Sequence, residues 1–154
     1  MNKKFTYLII FFLFLQGCGY SPIYSVQNKT SFKFNIVEIN GSNKINDKFN
    51  IQIKRFSNNT SNNVIDLKIF TFYEKNILTK NKKGEATKFI IKKIIDFEIM
   101  NSKNKKNYSF NSETVVDNIS DKFELNNYEN SIIENFISSS IEKLILKHSL
   151  NNES

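Results

Sequence analysis

Two runs of strict alternation, separated by a polar stretch, constrain the fold of this chain more than any other feature. In the first, Ile65, Leu67, Ile69, Thr71 and Tyr73 occupy every second position. In the second, Phe89, Ile91, Ile95, Phe97 and Ile99 do the same, broken only by Lys93. A period of two places each set on one face of an extended strand. The intervening Glu74–Glu85 segment contains Lys80, Lys82, Lys83 and Gly84 and reads as a polar hairpin connection. A lysine-rich turn over Asn101–Asn107 leads to a further strand around Tyr108–Val116, so the strands form an antiparallel meander. Upstream, Phe32, Phe34 and Ile36 alternate against Lys33 and Asn35, and Val37 and Ile39 switch the phase as a bulge does.

A different period governs the C-terminal part. Tyr128, Ile132, Ile133, Phe136, Ile137, Ser140, Ile141, Leu144 and Ile145 recur at three and four residues, the stripe of a helix that covers a sheet. Asn126 with Glu129 three residues on resembles a capping box at its start, and Lys143, Lys147 and His148 suit the negative end of the dipole. The Ile45–Phe56 segment is ambiguous. Ile45, Phe49, Ile53 and Phe56 fit a helical stripe with Ser42 or Asn43 as N-cap, Phe49, Ile51 and Ile53 fit a strand equally well, and a short helix is favoured. Ser57–Asn63 is a loop. The fold class is therefore α+β: an antiparallel or mixed sheet of about four strands against a long C-terminal helix and a shorter helix after the first strand.

The second face of the sheet stays open to two readings. Phe70, Phe72, Ile90 and Ile94 alternate out of phase with the core sets, among Lys68, Lys88 and Lys92. If the strands pair in register they form an apolar patch rimmed by lysine, which marks an interaction surface; otherwise the shorter helix covers them or the register differs.

At 154 residues the chain has the length of one domain. With 40% hydrophobic and 24% charged residues it has a modest core and is not disordered. The lean towards Lys, Asn, Ile and Phe, with no Trp, reads as codon bias of an AT-rich genome. One Cys and one His exclude an internal disulfide and a zinc cluster. Hydrolytic chemistry needs a nucleophile with a positioned base or a multi-ligand metal. Neither pattern appears, and Asp96 with Glu98 reads as a surface salt-bridging pair on the outer side of a strand. The expectation is a protein that is not an enzyme and has no cofactor.

The first residues decide the compartment. Lys3 and Lys4 precede the apolar run Tyr7–Leu15, whose nine residues span only about 13–14 Å as a helix. That is far short of a bilayer core of roughly 30 Å, and it suits a signal peptide. Leu15-Gln16-Gly17-Cys18 then resembles the bacterial lipobox, in which cleavage falls before a cysteine carrying diacylglycerol. Lipidation at Cys18, with acyl chains such as palmitate, gives the lone cysteine its purpose. Each buried methylene adds roughly 0.8 kcal/mol of membrane affinity. The expected organisation is a signal peptide at 1–17, a lipidated N-terminus and tether at 18–31, a single α+β domain at 32–148 and a tail at 149–154. Loss of Lys3 and Lys4 lowers the formal charge from +7 to +5. A mild basic excess suits anionic surfaces, and the exported compartment argues against nucleic acid as the partner.

The segment Cys18-Gly19-Tyr20-Ser21-Pro22-Ile23-Tyr24 resembles the start of the LptE family of lipopolysaccharide-assembly lipoproteins, particularly its alphaproteobacterial members. The order of elements is similar throughout, and Gly84-Glu85-Ala86-Thr87-Lys88-Phe89 looks like that family's small-residue lead-in to its third strand. The Ile-rich C-terminal helix departs from the Ala- and Arg-rich version of the family. The resemblance implies a lipid-anchored protein on the periplasmic side of the outer membrane, a sorting that Gly19 favours. It implies the LptD β-barrel as partner, with this chain as plug and assembly aid, and contact with lipopolysaccharide. Lys80, Lys82, Lys83, Lys103, Lys105 and Lys106 would then approach lipid phosphates as point charges. The alternative is an accessory lipoprotein of an ABC-type lipid transporter, or another periplasmic binding or scaffold lipoprotein.

Overall fold

The computed structural model describes residues 32–100 and 105–150. The signal sequence, Cys18, the tether and Lys103 lie outside the described residues. In chain order the elements are β1 (Lys33–Gly41), α1 (Asn43–Phe56), β2 (Val64–Lys80), β3 (Ala86–Met100), β4 (Lys105–Asp117) and α2 (Lys122–Leu150). The fold is α+β: one sheet in the order β1-β2-β3-β4, with β1 parallel to β2 and the later pairs antiparallel. Parallel neighbours cannot be joined by a tight turn, and α1 supplies the crossover.

The phase switch in the first strand is real. The register against β2 shifts between Ile36 and Glu38, leaving Val37 as the extra residue. Phe34, Ile36 and Ile39 consequently all pack against the core. The ambiguous segment is a helix, and the sheet fixes its start. Ser42 stands at the N-cap without a side-chain cap bond. Instead the Ser42 N–H donates to Thr71 Oγ1 at 3.0 Å, and that hydroxyl donates to Asn46 Oδ1 at 2.7 Å. The corner needs glycine: Gly41 has φ +106°, and a Cβ there would lie 1.8 Å from the Thr71 carbonyl oxygen.

Several boundaries differ from the sequence reading, among them the start of β4 at Lys105, inside the stretch read as a lysine-rich turn. The polar Glu74–Lys80 segment is not connection but strand, and the hairpin turn is confined to 81–85. Pairing continues as far as Lys80 opposite Ala86. The backbone ladder requires no apolar side chain where little covers the strands, and Lys75 lies over the Phe89 ring at 4.1 Å. At the tip, Asn81 Oδ1 accepts from the N–H groups of Lys83 and Glu85. The long helix begins a turn earlier than Asn126. Asp121 Oδ1 accepts from the N–H groups of Phe123 at 2.8 Å and Glu124 at 3.2 Å, the geometry of an N-cap. Glu129 is therefore not a capping residue and is buried. The helix continues past residue 148 to Leu150.

Both helices lie on one side of the sheet. Ile45, Phe49 and Ile53 of α1 meet Ile133, Ile137, Ile141 and Leu144 of α2 over Leu67, Ile95 and Phe97 in one cluster. Phe97 joins the layers, with ring centroids 5.8 Å from Phe49 and 5.9 Å from Phe110. The helices are also tied to each other by Ser138 Oγ donating to Gln52 Oε1 at 2.6 Å and by Lys48 to Glu134 at 2.6 Å.

Candidate interaction face

Because α1 packs beside α2, no described helix covers the second face of the sheet, and the apolar-patch reading holds over covering by the shorter helix. Its centre is set by register: Phe70 opposes Asp96, Phe72 opposes Ile94, and Glu74 opposes Lys92. Phe70 is 51% exposed and Phe72 39%. Val115, opposite Ile90, extends the apolar surface on β4. A shallow depression of about 490 Å³ runs across all four strands and is lined by Phe70, Asp96, Glu38, Lys68, Asn107 and Ser109, among others.

The lysine rim is present but largely neutralised. Lys68 pairs with Glu38 at 3.1 Å, Lys88 with Asp117 at 3.3 Å, Lys92 with Glu113 at 3.4 Å and Lys105 with Glu98 at 2.7 Å. Hydrogen bonding to Lys68 first, then to Asn40, and the Lys68 charge hold the Glu38 carboxyl below its ordinary value. Asp96 and Glu98, read together as a salt-bridging pair, behave differently. Glu98 has its amine, whereas Asp96 has no ion-pair partner among the described residues. The signal for this was the acidic alternation of β3, but which acid finds a lysine depends on cross-strand register.

The six lysines singled out for lipid phosphate do not converge. Lys80, Lys82 and Lys83 lie at the exposed tip of the β2–β3 hairpin. Lys105 and Lys106 begin β4 at the opposite end, level with Asp66 on β2, about 45 Å away at roughly 3.3 Å per residue. Lys103 lies outside the described residues. The described lysines form two separate basic ends rather than one site.

For three titratable groups on the helix side the structure shows surroundings that the sequence did not reveal. Glu129 is buried and accepts from Lys44 at 2.9 Å, from Tyr73 at 3.3 Å and from Lys75. Burial pushes its carboxyl up, but the hydrogen bonds and charges of Lys75 and Lys44 outweigh that and leave it below its ordinary value. Lys93, 1% exposed, donates to Thr114 Oγ1 at 2.8 Å, and burial pushes its amine down. His148 stands in the last turn of α2, as the sequence reading has it, but its surroundings do not favour a cation there. It is buried edge-on against Phe32, with centroids 5.4 Å apart, and burial and then the Lys106 charge push its pKa down, which favours the neutral ring. Among the described residues no group of carboxylates, His or Cys is arranged to hold a metal, and no helix is long and apolar enough to cross a membrane.

No protein-family model and no curated protein matches the sequence. Solved structures do share the fold. The crystal structure of rare lipoprotein B from Shewanella oneidensis aligns at a TM-score of 0.51 and 10% identity, covering 77% of this chain and 96% of that one. The solution structure of an uncharacterized lipoprotein B from Nitrosomonas europaea aligns at 0.51 and 12% identity, covering 82% and 90%. At such identities the likeness is one of fold. A mixed four-stranded sheet with two helices on one side is thus an architecture that proteins described as lipoproteins carry.

Proposed function

We propose that this chain is a non-enzymatic outer-membrane lipoprotein, anchored through Cys18 and facing the periplasm. It acts with the LptD β-barrel, as plug and assembly partner, in transport of lipopolysaccharide to the cell surface. One conjunction carries the reading: a lipobox-like Leu15–Cys18 precedes a domain whose fold spans nearly the whole of a solved lipoprotein. The LptE-like Cys18–Tyr24 segment supports the family within that class. The half-exposed phenylalanines of the uncovered sheet face fit a protein whose remaining surface meets a partner. The lysines of the hairpin tip would face lipid phosphates on one side of the barrel and those of the β4 start the other.

Extraction of the full chain in mild detergent, with mass-spectrometric identification of what accompanies it, tests the proposal. A large β-barrel is the expected companion. Inner-membrane transporter subunits in its place would favour an accessory role in an ABC-type lipid transporter and contradict the barrel reading.

A further inference from the structure

The charge of the uncovered face runs against that of the chain. Although the sequence carries a formal +7, the positions that register places on this face include Glu38, Asp66, Glu74, Asp96, Glu98, Glu113 and Asp117, against Lys33, Lys68, Lys80, Lys88, Lys92 and Lys105. Four of those lysines are already held in cross-strand ion pairs. Asp66 is occupied by Asn35, whose Nδ2 donates to it at 2.7 Å. That leaves Lys33 and Lys80 at the margins, and Glu74 and Asp96 at the centre, without an ion-pair partner among the described residues; the two acids bracket the exposed Phe70 and Phe72 and the partly buried Ile94 in the register. Asp96 also lines the depression beside Phe70. Glu74 and the position opposite Asp96 are four residues apart on β2, about 14 Å at roughly 3.4 Å per residue.

From this arrangement we infer that the uncovered face docks on a protein surface in which Arg or Lys side chains flank exposed apolar ones, and not on lipid phosphate. Apolar contact at Phe70, Phe72 and Ile94 supplies area, and the two bracketing carboxylates fix register and reject acidic partners. A guanidinium is the better match for the Asp96 end, because it can pair with the carboxylate while stacking on the neighbouring Phe70 ring. An anionic headgroup would meet a surplus of carboxylates here, so lipid contact is left to the two lysine-bearing ends. The inference rests on the barrel reading above and deepens it: this face, rather than the helix side, meets the protein wall.

The test uses the full chain, extracted in mild detergent with its companion. Asp96→Lys combined with Glu74→Lys is expected to lower recovery of the barrel at least tenfold. Asp96→Asn combined with Glu74→Gln keeps the side-chain shapes and is expected to lower it severalfold. Both variants should retain the wild-type melting temperature within a few degrees. A benzoylphenylalanine at position 72, photoactivated in cells, should yield an adduct with the barrel. Undiminished recovery by both variants, or an adduct with lipopolysaccharide, overturns the inference while the barrel reading stands. Failure of the wild-type chain to recover any barrel overturns both.

Discussion

Glu129 shows how a single side chain can organise two elements. It lies on α2, yet its oxygens accept from Lys44 of α1 and Lys75 of β2, tying the first turns of the long helix to the outer half of the hairpin. Removing one member of a buried ion pair strands the others, but both lysines keep some contact with water, which lessens the effect. Glu129→Gln is expected to cost about 1–2 kcal/mol in urea denaturation. Its carboxyl sits below the ordinary value in the fold, so the stability it contributes is present above the unfolded value near 4.5 and is lost as pH falls through the folded one. The variant should therefore lose less stability on acidification than the parent. His148 acts in a neighbouring window. With its folded pKa pushed below 6.5, the unfolded chain binds the extra proton first, so stability declines as pH falls from about 6.5 towards the folded value. His148→Gln should flatten that decline in pH-dependent thermal melts. An unchanged slope would mean the ring is not desolvated as described.

At the scale of elements, what the sequence made legible was whatever burial had written into it. The alternation of Leu67, Ile69, Ile95 and Phe97 and the helical stripe from Ile133 to Leu144 exist because one face of each element is sealed from water. Ile137 sits at the centre of that seal, fully buried. Ile137→Ala is expected to cost about 2–5 kcal/mol by denaturant titration. A cost near zero would mean α2 is not docked on the sheet. Less was legible where burial left no mark. Glu74–Lys80 looked like a loop because a strand held mainly by its backbone ladder carries no apolar period. The start of α2 was misplaced because Asp121 precedes the apolar stripe by two turns, and the first turns, with Phe123 75% exposed, do not touch the core. The candidate face was half legible: Phe70 and Phe72 stood out of phase in the sequence. The fates of Asp96 and Glu98 were decided by cross-strand partners that only the register reveals.

The described residues form a two-layer domain with one side of the sheet sealed by its helices and the other uncovered. Its basic charge is gathered partly at the two ends of the hairpin, and its carboxylates are concentrated on the uncovered sheet. Under the function proposed above, this division would give the domain separate surfaces for protein and for lipid. It has meaning only if the domain is held at a membrane, and the sequence provides one device for that, the cysteine after Leu15-Gln16-Gly17. Intact-mass spectrometry of the chain purified from membranes measures it directly. The account predicts a polypeptide beginning at Cys18 with the added mass of diacylglycerol and a further acyl chain. A chain that retains Met1, or one with an unmodified thiol at Cys18, would contradict it.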